Sequence, residues 1–286
     1  MKAPTMLETI RSLLGKPACA IPLSCCKPAK EYLLERAGIS RSGTVVIFAI
    51  PYVMTDDATN SERNVSLYAV PRDYHRYIQM LSQTLIPSLV EFFPTHKFVL
   101  YADHSPICEV NAAARAGLGV LGMNGLLITP TYGSFVFLGE LVTSADYETV
   151  TGEAIPIFPD QPLRCENCGT CMVACPGGCR NGDREHCLSA LTQKKGALTD
   201  AEIAAIKENG LVWGCDTCQH NRRVIQNRID TPIPYFREER LLHIDTGILD
   251  AMSDEAFLLR AYAWRGRSVI QRNTALFDTS DERSSP

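Results

Sequence analysis

The distribution of apolar residues predicts a sheet in the first half of the chain. Residues 43–51 (GTVVIFAIP) form an unbroken apolar run rich in β-branched side chains, which is typical of a strand buried on both faces. Residues 97–102 (KFVLYA) predict a second buried strand. The amphipathic stretch 72–93 between them predicts a long helix, interrupted at Pro87. Strand, helix and strand in this order favour a parallel α/β layer.

Weaker patterns complete the predicted elements. Helices are expected over residues 6–14, 29–37 and 107–116, and residues 126–142 predict a β-hairpin that returns to the sheet. Residues 254–277 predict a helical tail.

Proline-rich residues 146–164 show little periodicity and indicate a domain junction. We therefore expect an α/β domain over residues 1–155, a cysteine-rich module over 156–230 and a helical tail over 231–286.

Composition limits the compartment and the partners. The 286 residues are 45% apolar and 21% charged, and apolar runs of the length of a membrane span do not occur. Twelve cysteines without an export signal indicate metal ligation in the reducing cytoplasm, rather than disulfides. A net charge of −4 argues against bulk electrostatic attachment to nucleic acid, although a local basic patch could still bind RNA.

Residues 165–176 carry the most specific motif, C-x2-C-x2-C-x3-C-P. In the bacterial ferredoxin run of this spacing, three thiolates hold one iron–sulfur cluster and the fourth holds a second cluster. A structural zinc site could use one C-x2-C pair, but it has no use for four cysteines at this density. The spacing therefore favours iron–sulfur clusters, with zinc as the alternative.

Asp103 follows the second predicted strand, and two interpretations of it are open. Ligands of open α/β sheets bind at the carboxyl ends of strands, which makes this carboxylate a candidate site residue. Alternatively, Asp103 caps the helix predicted from about residue 107.

Several stretches together resemble the epoxyqueuosine reductase family, the cobalamin-dependent iron–sulfur enzymes of queuosine synthesis in tRNA. These stretches are SLYA at 66–69, RDYH at 72–75, Asp103 with Pro106, AGLG at 116–119, ITP at 128–130, FLGE at 137–140, the ferredoxin run, CLSALTQKKG at 187–196 and GCDTCQ at 214–219. They follow the family's order and extend over nearly the whole chain.

The resemblance implies a fold and a chemistry. The implied fold is a corrinoid-binding α/β domain like that of reductive dehalogenases, followed by a ferredoxin-like module with two [4Fe-4S] clusters. The clusters would pass electrons to cobalamin, and Asp103 would protonate the departing oxygen of the substrate. Apolar surroundings that raise the pKa of Asp103 would suit this role. The implied cofactor-binding residues are Ser66, Asp103, Leu127, Thr129, Tyr132 and Thr192.

The resemblance also implies the cluster ligands, with one departure. Cys175, Cys187, Cys215 and Cys218 would hold the second cluster. Cys165, Cys168 and Cys171 would hold the first, but the family's next cysteine is missing where this chain reads Cys218-Gln219-His220-Asn221-Arg222. Cys179 is favoured as the replacement because iron prefers sulfur, and His220 is the alternative. A three-iron cluster, or no first cluster, is a further alternative.

Other departures bear on the substrate. Met123 stands where relatives commonly have lysine, and the expected helical repeats that help to grip tRNA are absent after about Phe277. Lys194 and Lys195 are candidate tRNA contacts or a solvated helix end, and the arginines between Arg260 and Arg272 are a remnant of a tRNA surface or a solvated face. These departures leave the prediction of reductase chemistry unchanged, but they weaken the prediction that tRNA is the substrate.

Three functions are therefore compared. The first is a cobalamin- and cluster-dependent reductase of epoxyqueuosine in tRNA or of another small electrophile, supplied with electrons by a donor such as ferredoxin or flavodoxin. The second is an iron–sulfur electron carrier without a substrate of its own. The third is a zinc-stabilised RNA-binding module.

Overall fold

The computed structural model describes residues 3–179, 186–220 and 229–278 and divides the chain into two compact units. The first unit contains Met1–Pro51 and Tyr74–Cys168, and the second contains Tyr52–Asp73 and Gly169–Pro286. This division differs from the three segments expected from the sequence, because residues 52–73 leave the first segment and join the second unit.

The first unit is mixed α/β, as predicted. Its strands are β1 (Ala18–Pro22), β2 (Thr44–Pro51), β3 (Phe98–Tyr101), β4 (Val120–Leu121), β5 (Leu127–Ile128) and β6 (Val136–Thr143). Its helices are α1 (Met6–Leu14), α2 (Tyr32–Ala37), α4 (Tyr74–Phe92), α5 (Glu109–Arg115) and α6 (Tyr147–Thr151), where α3 is Thr55–Thr59 of the second unit. Helices α1 and α2 end at Gly15 and Gly38, both left-handed, as glycine after a helix allows.

The main sheet is antiparallel throughout, which corrects the parallel layer expected from the sequence. Its strand order is β1-β2-β6-β3, and every neighbouring pair runs antiparallel. Strands β2 and β3 do point in the same direction, but β6 lies between them. The expectation failed because the order of strands along the chain does not reveal which later strand is inserted.

Two further details were wrong in the prediction. Strands β5 and β6 do not form a hairpin, because β5 pairs with β4 and β6 pairs with β2 and β3. Helix α4 continues past Pro87, which lies on the exposed side of the helix. At an exposed position the carbonyl group that loses its N–H partner can bind water instead.

One face of the sheet forms an apolar core beneath α5. Val45, Ile47 and Ala49 of β2 pack there with Leu138 and Val142 of β6. Three consecutive alanines of α5, residues 112–114, are buried against them, and such small side chains let the helix approach the sheet closely. All eight residues of β2 are buried, as the apolar run predicted.

The second unit is built from short helices. After α3 these are α7 (Thr170–Ala174), α8 (Leu188–Thr192), α9 (Asp200–Asn209), α10 (Pro234–Arg237), α11 (Thr246–Ala251), α12 (Asp254–Leu258) and α13 (Arg267–Ala275). The tail predicted over residues 254–277 is therefore helical in pieces.

An aromatic core joins distant parts of the second unit. Trp213 is fully buried and meets the ring of Tyr262 edge-on, with 5.9 Å between the ring centroids. Val65 and Val70 pack into the same core, as do Ile244 and Phe257. Residues 231–278 therefore share a core with residues 65–70 and 212–213. Among the described residues, no helix combines the length and the apolar character that a membrane span requires.

Candidate active site

Asp103 lies two residues beyond the end of β3, in a loop with an unusual backbone. Its φ is 58°, in the left-handed region that residues other than glycine seldom adopt. The N-cap of α5 is Cys108, which excludes the interpretation of Asp103 as the helix cap. The loop is fixed on its far side, because the N–H of Cys108 donates to the Lys27 carbonyl at 2.9 Å and the N–H of Ala29 donates to the Pro106 carbonyl at 2.9 Å.

The carboxylate of Asp103 meets the first two residues of α4. The Tyr74 hydroxyl donates a hydrogen bond to Oδ2 of Asp103, and Nε2 of His75 lies 3.6 Å from the same oxygen. Tyr74 is buried and stacks on Phe137, with 4.0 Å between the ring centroids. The Asp103 side chain is 65% exposed, so the apolar surroundings expected around it do not occur among the described residues.

His104 is held from both sides of its ring. Nζ of Lys30 lies 3.0 Å from Nδ1, and the Tyr32 hydroxyl lies 2.8 Å from Nε2. A lysine ammonium group can only donate, so Nδ1 accepts and the proton of a neutral imidazole resides on Nε2, which donates to Tyr32. The residue beside Asp103 therefore has a defined tautomer.

Three residues predicted to line a corrin ring lie around strand β5 of the first unit. The Leu127 side chain belongs to the apolar core, so a ligand could meet this position only through its main chain. The Thr129 hydroxyl donates to the Gly133 carbonyl at 3.0 Å and accepts from the Tyr132 N–H at 3.2 Å. The Thr129 hydroxyl thus closes the loop that presents Tyr132.

The structure brings the other two predicted cofactor residues together within the second unit. Thr192 is fully buried, and its hydroxyl accepts a hydrogen bond from the Gly214 N–H at 2.9 Å. Ser66 is fully buried against Gly214, and its N–H donates to the Trp213 carbonyl at 2.7 Å. Gly214 has a φ of 73°, and a side chain there would collide with Ser66. Segments that are distant in the sequence therefore meet at one glycine.

The predicted cluster cysteines are distributed over both units. Cys165 and Cys168 belong to the first unit, and Cys171, Cys175, Cys179, Cys187, Cys215 and Cys218 belong to the second. All except the exposed Cys168 are partly buried. In the described part of the chain, no three His, Cys, Asp or Glu side chains form a group that could hold a metal ion.

Parts of the predicted second cluster site do approach each other. Burial raises the pKa of the Cys215 thiol, and the neighbouring Cys187 adds to the increase. Helix α7, which precedes Cys175, packs against the turn Thr217–Gln219, which contains Cys218. The donor set of thiols suits iron–sulfur ligation. His220 is described, whereas Asn221 and Arg222 of the altered motif lie outside the described residues.

The predicted tRNA-binding lysines differ in their surroundings. Nζ of Lys194 forms an ion pair with Glu202 at 2.7 Å, and Lys195 is exposed.

Three of the four arginines in the tail bind main-chain carbonyl groups. Arg260 donates to the Glu239 carbonyl at 2.6 Å, and Arg272 donates to the carbonyls of Lys194 and Gly196, each at 2.7 Å. Arg267 binds carbonyls of the second unit in the same way. These guanidinium groups connect segments of one unit.

The roles of Tyr74 and His75 were not predicted from the sequence. Both belong to a stretch that carries the family resemblance, but a tyrosine and a histidine at a helix start carry no signal of their partner 28 to 29 residues later. The structure supplies that partner, because the start of α4 and the end of β3 meet at Asp103.

No model of a known protein family matches the chain. Among curated proteins, epoxyqueuosine reductase of Listeria monocytogenes is 35% identical over 219 residues, which cover 71% of this chain and 54% of that enzyme. The enzyme of Lactococcus garvieae is 32% identical over 231 residues, which cover 75% of this chain and 61% of that enzyme. This chain thus spans little more than half the length of these curated relatives.

A solved structure shares the fold. The crystal structure of an epoxyqueuosine reductase with an epoxyqueuosine-modified tRNA stem loop superposes with a TM-score of 0.69 at 24% identity, covering 95% of this chain and 79% of that one. At 24% identity the structural similarity shows only that the fold is shared. Membership of a family is shown by the more similar curated sequences. Across the aligned 71% of its length, the chain belongs to the epoxyqueuosine reductase family.

Proposed function

We propose that the chain is an iron–sulfur and cobalamin-dependent oxidoreductase that converts epoxyqueuosine to queuosine in tRNA, with Asp103 as the proton donor. The observation that carries the proposal is the position of Asp103 beside Tyr74 and His75 in a chain 35% identical to an epoxyqueuosine reductase. The solved relative that binds a modified tRNA stem loop supports tRNA as the substrate. A tRNA substrate would place the protein in the cytoplasm.

Asp103 would deliver a proton to the epoxide oxygen. Removal of that oxygen consumes two electrons and two protons and leaves an alkene and water, so an acid has to meet the oxygen as its carbon bonds break. The exposed carboxyl group of Asp103 can reach a bound substrate, and the Tyr74 hydroxyl orients it. His75 is 49% exposed, so it can exchange protons with solvent and return one to Asp103 after each turnover.

Cofactors would supply the electrons. When bound, cobalamin and the clusters provide the redox chemistry that no side chain of this protein offers. Within a double-cluster module over residues 156–230, Cys175, Cys187, Cys215 and Cys218 would hold the second cluster. Cys165, Cys168 and Cys171 would hold the first, with Cys179 or His220 as the fourth ligand.

Several residues would bind the corrin ring or the tRNA. The groups that would contact the corrin are Ser66, Asp103, Thr129, Tyr132, Thr192 and the main chain of Leu127. Lys194 and Lys195 would contact the tRNA, and a ferredoxin or flavodoxin would supply electrons.

The decisive experiment begins with anaerobic purification and reconstitution. Iron and acid-labile sulfide are counted, cobalamin is titrated by its absorbance, and the protein is given an epoxyqueuosine-modified tRNA stem loop with a chemical reductant. About eight irons per chain indicate two cubane clusters, and about four indicate one. Queuosine is detected by mass spectrometry of the nucleosides.

The Asp103→Asn variant tests the proton donor. Because asparagine has nearly the same shape as aspartate, the variant should keep its iron content and its contact with cobalamin. It should lose at least ~100-fold in turnover, the usual effect of removing a general acid. The exposed Asp250→Asn is the matched control and should behave as the wild type. Clusters without cobalamin binding would instead indicate an electron carrier, and zinc without iron or sulfide would indicate an RNA-binding module.

A further inference from the structure

Glu140 is an acid in the middle of the apolar sheet core of the first unit. It lies in β6 between Leu138 and Val142, two residues of that core, and its exposed fraction is 0%. Its strand neighbours are Ile47 of β2 and Tyr101 of β3. A carboxylate at such a position is strongly unfavourable unless it is paired or protonated.

The group that faces Glu140 is a second acid, Glu109 of the first turn of α5. Each carboxyl group influences the protonation of the other, and the Ser105 hydroxyl lies beside Glu140. Both oxygens of Glu140 and Oε1 of Glu109 are sealed from solvent and, within the described ranges, receive no hydrogen bond of normal geometry. The Ser105 hydroxyl is nevertheless close enough to lower the pKa of Glu140, against the larger effects of burial and of Glu109. A proton shared between the two carboxyl groups would satisfy them, since like charges in one buried site cannot both persist.

The electrostatics of the surroundings agree with a shared proton. Burial and the charge of Glu109 raise the pKa of Glu140 well above its usual range. Burial, followed by the charge of Asp103, raises the pKa of Glu109 to about 7. Lys30 lowers the pKa of Glu109 only as a minor contribution. Cys26 lies near Glu140 and Tyr101 lies opposite it in the sheet; burial raises the pKa of both, that of Cys26 to about 12, which keeps them neutral.

Glu109 connects the pair to the active site. The main-chain N–H of Asp103, the residue with the left-handed backbone, lies close enough to the Glu109 carboxyl group to lower its pKa, against the larger effects of burial and of the Asp103 charge. A left-handed conformation at a residue other than glycine costs on the order of 1 kcal/mol and persists only where neighbouring groups hold it. Glu109 is such a neighbour.

We propose that Glu109 and Glu140 form a positioning pair that shares one proton and holds the Asp103 loop in the conformation that presents its carboxyl group. Loss of the shared proton would create two facing carboxylates, whose repulsion moves Glu109 away from the Asp103 N–H. The catalytic consequence rests on the proposed reductase function, whereas the shared proton and the held loop do not.

The test uses the full chain and three variants. Glu140→Gln keeps the shape but cannot ionise, Glu109→Ala removes the acceptor of the Asp103 N–H, and Glu109→Gln keeps an acceptor there. The exposed Glu31→Gln is the matched control. The first readout is the infrared carbonyl band of a buried carboxylic acid at neutral pH. The second is hydrogen exchange of the Asp103 amide, and the third is the pH profile of kcat together with KM.

The expected results separate a positioning role from a merely structural one. The wild type and Glu31→Gln should show the carboxylic acid band, and Glu140→Gln should show it weakened, because only Glu109, whose pKa is about 7, remains to carry a proton. Glu109→Ala should accelerate exchange of the Asp103 amide by about tenfold, as for one lost hydrogen bond, and Glu109→Gln should restore it. With tRNA substrate, Glu109→Ala should lower kcat ~10- to 100-fold at unchanged KM, and Glu140→Gln should retain kcat at alkaline pH, where the wild type declines.

Two results would overturn the proposal: a wild type without the carboxylic acid band, or Asp103 exchange that is unchanged in Glu109→Ala. If Glu109→Ala does not fold, the proposal is tested by the infrared carboxylic acid band and the pH profile of kcat of Glu140→Gln. Normal band and exchange behaviour in a wild type without reductase activity would leave the pair intact and refute the proposed function. An active wild type with normal kcat in Glu109→Ala would refute the positioning role alone.

Discussion

Arg63 and Asp216 form an ion pair of 3.1 Å inside the second unit, with side chains only 10% and 1% exposed. Oδ2 of Asp216 also accepts a hydrogen bond from the Leu67 N–H at 2.7 Å. Asp216 stands between Cys215 and Cys218, so this pair ties two proposed cluster ligands to the segment that contains Ser66. The carboxylate of Asp216 therefore has a structural role, because it fixes the backbone that carries the Cys215 and Cys218 thiols.

Replacement of Asp216 should therefore destabilise the protein strongly. We expect Asp216→Ala to lower the free energy of unfolding by about 3–5 kcal/mol, because it leaves the guanidinium of Arg63 buried without its partner. Glu31→Ala, which breaks the exposed pair with Arg41, is the control and should cost at most about 1 kcal/mol. Urea unfolding measures both, and equal losses would contradict the assignment.

Gly214 offers a second test of the same region. A Cβ at Gly214 would collide with the hydroxyl of Ser66 in addition to the strain of a left-handed φ of 73°. Gly210 has the same φ of 73° but nothing within 4 Å of a built Cβ. Gly210→Ala should thus cost about 1 kcal/mol, and Gly214→Ala should cost clearly more. The difference in unfolding free energy between the two variants isolates the collision, and equal values would refute it.

Local patterns in the sequence predicted single elements well and their pairing poorly. The run 43–51 is the buried strand β2, and the helix predicted over residues 6–14 has those bounds in the structure. Strand β1 was missed because its five residues, ACAIP, form a short run in which alanine and proline have little preference for strands. The insertion of β6 between β2 and β3 was missed because strand pairing depends on contacts between distant residues, which hydrophobic periodicity does not encode.

In the candidate site, too, single residues were predicted from the sequence but their partners were not. Asp103 was found because it follows an apolar run and matches a family stretch, but its partners Tyr74 and His75 became visible only in three dimensions. Glu140 did carry a signal in the sequence, namely a single acid within the apolar strand 136–143. Its partner Glu109 carried none, since an acid in the first turn of a helix is common.

Arg272 should stabilise the segment that contains Lys194. Its guanidinium donates to two carbonyl oxygens, those of Lys194 and Gly196, and these bonds are charge-assisted. We expect Arg272→Ala to lower the free energy of unfolding by about 1–3 kcal/mol and to increase amide exchange over residues 192–196. Arg265→Ala is the control, because Arg265 stacks on the exposed Trp264, and it should leave that exchange unchanged.

The Glu109–Glu140 pair should make the protein less stable as the pH rises. Below pH 4.5, the ordinary value for glutamate, both residues are protonated in the folded and unfolded states, so the pair adds no pH dependence. Above it the unfolded chain releases both protons while the folded pair retains them, and stability falls wherever the folded state binds more protons. The loss of stability should extend through about pH 7, where Glu109 titrates, and continue above it, because the pKa of Glu140 is raised further.

Urea midpoints measured across this pH range should decline in the wild type and in Glu31→Gln. Glu140→Gln should flatten the decline, since its amide cannot ionise and can donate to Glu109, and a slope equal to that of the wild type would show that the pair does not hold the proton.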